Sequence, residues 1–546
     1  MSRYLKVDLS SESVETAATP HWLCTEFLGG RGVGAALLRD ACRLSPYDPE
    51  MPLVFATGPL VGTVAPTSGR MSVSSRSPLT GTMFDCSVGG RFGTMLKRAG
   101  FDFLVITGQA SQWVILEIRE GAAAVRIAET LKGKSVSDVT AQFPSESSTA
   151  VIGPAGENGV RFASIIIDGR YAAGRGGLGA VMGAKRLKAI SVSGRREVAV
   201  AKPDELAAAS ADIMRLLRAS PAVFGEAGLS EFGTAALVDL MHARRMEPAL
   251  NFRATYFAGA GVYSGYAMKK RYAAIPTGCA GCPILCKKVG SDGTILPEYD
   301  SVSHFGALLG NDDLGSIVGA NRLCNDLGMD TISAACTLAC HAELQGTTFS
   351  PSDIETLLRQ LAGRSGIGDA LAEGSFRYAK DHGRPELSMT VKGLELPAYD
   401  PRGAYGMALA YATSTRGGCH MRAYPISHEV LRKPVATDRF SFEGKARIVR
   451  IAEDMNAVVD SLTACRFVFF AAGIEEYAHA LSAVLGVSID SRDLFRIGER
   501  VWNAEWAMNR ANGFTVADDD LPQRFFLESG SSGGNLAVPP LDRREF

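Results

Sequence analysis

Three cysteines in one short run carry the chemistry most easily read from this chain. Gly278-Cys279-Ala280-Gly281-Cys282-Pro283-Ile284-Leu285-Cys286 has the spacing C-x2-C-x3-C. Thiolates this close in sequence can wrap one corner of a soft metal centre. Gly278 and Gly281 permit the tight backbone this needs, and Pro283 restricts it. Structural zinc wants four tetrahedral ligands, usually from two paired knuckles, and the sequence holds no second C-x2-C and no H-x3-H. A [4Fe–4S] cluster takes four cysteines, and three local ligands plus a distant one satisfy it. The cluster is the favoured reading, with zinc or unliganded thiols as the alternatives, and spacing leaves the fourth ligand open. Cys24, Cys42, Cys86, Cys324, Cys336, Cys340 and Cys419 are scattered, mostly among apolar or small residues, and read as buried free thiols. An exposed cluster needs a reducing compartment, which favours the cytoplasm.

Three glycine- and arginine-rich segments come next: Gly29-Gly30-Arg31-Gly32-Val33-Gly34, Gly89-Gly90-Arg91-Phe92-Gly93 and Gly174-Arg175-Gly176-Gly177-Leu178-Gly179. None is a dinucleotide fingerprint, because the strand–helix context and the later acid are missing. Tight turns are one reading. One large anionic ligand is the other, with glycine admitting backbone N–H groups and arginine pairing bidentately.

The elements that must position these residues fall into two textures. The first ~200 residues read as β-rich, with short apolar strands at 4–9, 53–56, 71–74, 103–107, 113–116, 163–166 and 189–192 between Gly and Pro turns. Helices are expected over 22–43 and 92–98. From Pro203-Asp204-Glu205, a helix start with acid in its first turn, helical periodicity dominates. It covers 204–219, 315–327, 330–345, 351–364, 440–460, 472–485 and 492–509. The expected class is α+β: a β-rich domain over 1–200, then two mainly helical domains over 201–400 and 401–546. Gly530-Ser531-Ser532-Gly533-Gly534 reads as a flexible stretch.

Composition excludes several classes. The 546 residues are 46% hydrophobic and 21% charged, which is globular rather than disordered or fibrous. A net charge of -1 gives no electrostatic case for nucleic acid or an anionic membrane. No apolar run approaches the ~20 residues a membrane span needs. The opening MSRYLKVDLSSESVE has no apolar signal core, so secretion is not expected.

Longer blocks then carry a resemblance. Thr57-Gly58-Pro59-Leu60, Ala65-Pro66-Thr67-Ser68-Gly69-Arg70, Ser77-Pro78-Leu79-Thr80-Gly81 and the run Ala172 to Gly183 resemble the aldehyde:ferredoxin oxidoreductases. So do the cysteine run, Pro297-Glu298-Tyr299, Asn325 to Ser333, Leu396 to Gly403 and Arg416-Gly417-Gly418-Cys419-His420, in that family's order. The resemblance implies tungsten, or molybdenum, held by two pterin dithiolenes beside one [4Fe–4S] cluster, with Mg2+ bridging the pterin phosphates as a further candidate. It implies Cys465 as the fourth cluster ligand with Cys279, Cys282 and Cys286. It sets Arg70 between cluster and pterin, and Ser87, Gly89, Ala172, Gly174 and Arg175 at the pterin phosphates. Two pterin-clasping motifs map to Asn325, Gly328, Met329 and Asp330, and to Asp460, Thr463, Ala464 and Cys465. Asn325 stands where the family has an acid, and Thr463-Ala464 where it has Gly-Leu.

The implied activity is oxidation of an aldehyde to an acid, with electrons passing to ferredoxin or an iron–sulfur partner subunit, in a homo- or hetero-oligomer. Such chemistry needs a proton acceptor. His420, whose imidazole titrates near neutral pH, and the acids Glu298 and Asp300 are the candidates. A satisfied core histidine and an arginine-paired acid are the plain alternatives. His304 and His428 have no motif bringing them to a site, and Glu476-x-x-His479 reads as a solvated helix face. Two other functions stay open: a reductive catalytic subunit acting on aromatic CoA thioesters, and a non-enzymatic assembly module with a structural metal.

Overall fold

A computed structural model describes residues 2–530 and 536–546. The flexible stretch expected at 530–534 therefore lies, from Ser531 on, outside the described residues. Two six-stranded sheets occupy the first 193 residues. One has the order β2(Ser13–Ala18), β1(Arg3–Asp8), β6(Phe103–Thr107), β3(Leu53–Ala56), β4(Met71–Arg76), β5(Met83–Val88). The other runs β11(Tyr171–Ala173), β10(Ile165–Ile167), β9(Ser148–Ile152), β12(Leu187–Ser193), β7(Val114–Arg119), β8(Ala122–Ile127). Both sheets are mixed: β1–β6 and β12–β7 are parallel and the other pairs antiparallel. β3 and β10 are buried along their whole length, which is why they read as unbroken apolar runs. β2, β5, β8, β9 and β11 escape the sequence reading, because Ala, Ser and Glu dilute the period-2 signal.

After Ser193 the chain is mainly helical, beginning with Pro203–Ala219, which carries Asp204 and Glu205 in its first turn. Helices Leu314–Leu327, Thr331–Gln345, Pro351–Ala362, Lys445–Leu462, Ile474–Leu485 and Ser491–Ala511 follow the expected periodicity within a few residues. Together with the β-rich part they form the α+β class. Asp330, Ser350 and Asp490 cap three of these helices by accepting first-turn N–H groups. Among the described residues no helix is long and apolar enough to cross a membrane.

The single helix expected over 22–43 is two: His21–Phe27 and Gly30–Leu38. The break falls at Leu28, with φ +62°, and Gly29. Its cause is packing. A Cβ at Gly29 would collide with Thr57 O, and one at Gly30 or Gly58 with the backbone of Asp460 or Leu462. The first glycine-rich segment is thus where a helix start meets the end of helix Lys445–Leu462 backbone to backbone. That contact delivers Asp460 and Cys465 to the centre of the molecule.

Candidate functional site

The cysteine loop follows the short strand Ile275–Thr277 and turns with positive φ at Gly281 and Leu285. Cys279, Cys282 and Cys286 are partly buried. A Cβ at Gly89 would collide with Cys279 Sγ, and Ala280 N donates to Gly90 O at 3.2 Å, so the second glycine segment is the floor of this loop. Cys465 reaches it from the other side. Helix Lys445–Leu462 ends at Thr463 in the left-handed region (φ +53°), and Cys465 N donates to Thr67 O at 3.1 Å. Charge interactions couple Cys465 to Cys279, Cys282 and Cys286, whereas Cys324, Cys336 and Cys340 lie in the helical core. Burial raises Cys465 to about 11 against the pull of Arg70, and raises Cys286 further. Ionising these buried thiols calls for a nearby cation, as a thiolate-bound metal would provide.

Arg70 stands beside them. Its Nε donates to Ser87 Oγ at 3.0 Å and its Nη2 to Ser87 O at 2.7 Å. The β4–β5 register, with Ser72 opposite Ser87, brings the two residues together. Its guanidinium faces Cys465, Cys279 and Cys286, and also Asp460. Arg70 therefore links the thiol quartet to a second, arginine-lined centre.

That centre is a dense buried ionic network. Arg31 forms a bidentate pair with Glu505 at 2.6 and 2.8 Å, Arg422 pairs with Asp85 at 2.5 Å, and Arg466 pairs with Asp460. Arg416 donates to Asp85 O and to Cys419 Sγ, from Nε at 3.1 Å and Nη2 at 2.9 Å. Burial works against ionised Asp85, but Arg422, Arg31 and Arg416 outweigh it and hold the carboxyl well below its usual range. Burial also opposes ionisation of Cys419, yet Arg416, Arg422 and Arg175 pull that thiol below its ordinary value. Arg175 contacts Asp330 at 3.4 Å and donates to Gly418 O and Glu395 O at 3.0 and 2.5 Å. Six arginines face four carboxylates and one thiol here. Arg31, Arg422 and Arg466 each keep a buried Nη1 without a hydrogen bond, as Asp460 does its Oδ1, although the Nη1 atoms of Arg31 and Arg422 lie 3.6 and 3.8 Å from Asp460 Oδ2. A polyanionic ligand carrying both donors and acceptors, such as a pterin dithiolene phosphate, fits this set.

The pterin-motif residues are the C-terminal ends of two helices. Gly328, with φ +76°, closes Leu314–Leu327, and its carbonyl accepts from Ser164 N at 2.8 Å. Met329 pairs with Ala163, Asp330 N donates to Phe162 O, and Ser164 Oγ donates to Gly174 O. Thr463 makes the equivalent turn with a side chain, and its Oγ1 accepts from Gly58 N at 3.0 Å. Asn325 caps nothing with its side chain, Ala464 N closes the turn onto Val459 O, and Ala172 is exposed on β11.

His420 and Asp300 are brought together, with Nε2 and Oδ2 3.6 Å apart. That is too long for a direct hydrogen bond. Asp300 Oδ1 accepts from Ala398 N at 3.1 Å. His420 Nδ1 is buried without a partner. Burial pushes the imidazole down to about 4, Arg175, Arg416 and Arg466 push the same way, and Asp300 opposes them. The ring lies 5.5 Å from that of Tyr399 and 6.2 Å from Tyr424, and Tyr424 in turn packs 6.2 Å from Phe470. Glu298 is not with this pair: it binds Lys287 at 2.6 Å, beside Cys286. His304 is a satisfied core histidine between the carbonyls of Asp300 and Leu396, His428 bonds Val435 O, and His479 is exposed near Glu475.

Arg31, Asp85, Arg416, Cys419, Arg422, Arg466 and Glu505 were not singled out from sequence as a group. Arg416, Cys419 and Arg466 border residues that were, so proximity to His420 and Cys465 was an available signal. Glu505, on the exposed-looking helix Ser491–Ala511, offered none.

Residues 4–194 match the family model "Aldehyde ferredoxin oxidoreductase, N-terminal domain", and residues 208–543 match "Aldehyde ferredoxin oxidoreductase, domains 2 & 3". The chain is 41% identical to the tungsten-containing aldehyde ferredoxin oxidoreductase of Pyrococcus furiosus, over 98% of this chain and 92% of that protein. It is 39% identical, with the same coverage, to the enzyme of that description from Thermococcus kodakarensis. Among solved structures, the active-site complex BamBC of benzoyl coenzyme A reductase, with a bound dienoyl-CoA, superposes with a TM-score of 0.83 at 25% identity, over 95% of this chain and 90% of that one. With both family models matched across nearly its whole length, this chain belongs to the aldehyde ferredoxin oxidoreductase family.

Proposed function

We propose that this chain oxidises aldehydes to carboxylic acids at a tungsten pterin in the arginine-lined centre. Cys279, Cys282, Cys286 and Cys465 would hold a [4Fe–4S] cluster, which would supply the one-electron route to ferredoxin or an iron–sulfur partner. The observation that carries the proposal is Arg70, one guanidinium facing both the thiol quartet and Asp460 of the arginine network. When bound, the tungsten pterin supplies a Lewis acid and a two-electron sink.

The residues divide the remaining work. Arg70 would stand between cluster and pterin, and Ser87, Gly89, Ala172, Gly174 and Arg175 would hold the phosphate ends, with Mg2+ as their counter-ion. Asn325, Gly328, Met329 and Asp330, and Asp460, Thr463 and Ala464, clasp the two pterins. Arg31, Arg422 and Arg466 would offer the same anionic group Nη1 donors that make no hydrogen bond within the protein. His420, pushed down to about 4 rather than titrating near neutral as its residue type suggests, is uncharged at physiological pH and holds a released proton only transiently. Asp300, held by Ala398 N, faces the ring at 3.6 Å and stabilises its charged form. Tyr399, Tyr424 and Phe470 form the apolar wall against which the substrate carbon lies. Glu298, paired with Lys287, balances charge beside Cys286 and has no proton to move.

Reduction of aromatic CoA thioesters is supported less well, by a likeness at 25% identity against 41% for the aldehyde enzymes. The test is anaerobic purification with elemental analysis and turnover. Tungsten, about four irons per chain and aldehyde-dependent reduction of ferredoxin are expected. Zinc alone, or metal-replete protein that reduces an aromatic CoA thioester and leaves aldehydes untouched, contradicts the proposal.

A further inference from the structure

Away from the thiols and the arginine network, the segment 425–440 folds over a cleft of about 190 Å3, partly open to solvent. Arg244, Arg432, Arg439, Glu429, Thr437 and Asp438 line it. Glu429 is fully buried, and its Oε1 accepts from Lys445 Nζ at 2.6 Å and from Gly406 N at 2.7 Å. Its Oε2 makes no full hydrogen bond, although the Met407 N–H also acts on the carboxylate. Arg439 uses Nη1 on two carbonyls, Arg244 O and Gly403 O, and stacks over Phe440 at 4.3 Å. Asp438 Oδ1 accepts from Phe440 N in its own turn, and Thr437 Oγ1 accepts from Lys445. Arg244 and Arg432 are exposed, and among the described residues neither side chain makes a hydrogen bond or ion pair. Four cations thus face two carboxylates, an excess of two positive charges, beside one buried acceptor left open.

We propose that this cleft binds a small phosphate monoester that also carries a hydroxyl group. The dianionic phosphate sits among Arg244, Arg432 and Arg439, whose planar forks suit phosphate oxygens. The hydroxyl donates to Glu429 Oε2, which otherwise stays buried without a full hydrogen bond, at a cost. The ligand class follows from that pairing: the charge excess calls for a dianion, and the open carboxylate oxygen calls for a donor on the same molecule. The cleft is distinct from the Asp300–His420 pair. Glu429 is held by Gly406 N and Lys445, and neither Asp300 nor His420 lines the cleft.

The test is calorimetric titration of the full, metal-loaded chain under anaerobic, low-salt conditions with glycerol 3-phosphate, propyl phosphate and glycerol. Glycerol 3-phosphate should bind saturably at one site, ~10-fold tighter than propyl phosphate, while glycerol alone shows no heat. Arg244→Ala and Arg432→Ala should each weaken binding by ~10-fold or more, and added salt should weaken it in the wild type. Both arginines are exposed, so neither variant threatens the fold. No saturable binding, equal affinity for the two phosphates, or unchanged affinity in the double arginine variant overturns the proposal.

Discussion

Replacing His420 by asparagine removes the proposed proton acceptor while keeping the site's shape. Asn is close in size to His, but its amide cannot accept a proton at any working pH. No hydrogen bond to either ring nitrogen is lost, since Nδ1 has no partner and Nε2 is 3.6 Å from Asp300. The ring contacts with Tyr399 and Tyr424 are lost, at about 0.5–1.5 kcal/mol each. Folding should therefore survive, and tungsten and iron content should stay at the wild-type level. A positioned base is worth ~10²–10⁴ in rate, or about 2.7–5.4 kcal/mol of barrier at 1.36 kcal/mol per decade. Asp300→Asn should slow turnover too, and the double variant should lose less than the product of the two, because both act on one proton. The assay is aldehyde-dependent viologen reduction on metal-counted protein. Near-wild-type turnover in fully loaded His420→Asn protein would remove this imidazole from the mechanism.

Three further outcomes follow from the same geometry. The wild-type rate should fall on acidification as pH drops through the His420 value of about 4, since protonated imidazole cannot take a second proton; in Asp300→Asn the limb should move to lower pH, because that carboxylate raises the imidazole value, and a limb that stays put or moves up contradicts the coupling. Cys465→Ser should lose the iron–sulfur absorbance and most of its iron, whereas Cys336→Ser, in the helical core, should keep both; the reverse pattern would identify the wrong fourth ligand. Thr463→Gly should relieve left-handed backbone strain of ~1 kcal/mol but strand the buried Gly58 N–H at about 1–3 kcal/mol, so the midpoint of thermal inactivation should fall slightly, and a clear rise would show that the threonine hydroxyl is not holding Gly58.

The helical half was legible because its helices carry caps and a full apolar period, as in Pro351–Ala362 with its Ser350–Asp353 capping box. The sheets were half legible. β3 and β12 announce themselves as apolar runs, but β8, Ala122–Ile127, is mostly alanine and partly exposed, and its strand character comes from pairing with β7. The break at Leu28–Gly29 was invisible because its cause, the end of helix Lys445–Leu462, lies more than 400 residues away. The cysteine run was readable from spacing alone. Cys465 was readable only through the resemblance, since nothing local separates it from Cys336 or Cys340. The arginine network was readable only in fragments, Arg31 and Arg175 in glycine-rich segments and Arg416 beside His420: Asp85, Arg422 and Glu505 are dispersed across the chain, and only burial in one centre makes them a site.

The central claim is that electrons taken from an aldehyde arrive at iron held by Cys279, Cys282, Cys286 and Cys465. Electron paramagnetic resonance on anaerobic, metal-loaded protein, frozen before and after addition of an aldehyde, reads this directly. The account predicts that a reduced [4Fe–4S] signal appears with the aldehyde and is absent from Cys465→Ser protein treated in the same way. Iron-replete wild-type protein that oxidises the aldehyde without changing the cluster signal would contradict it.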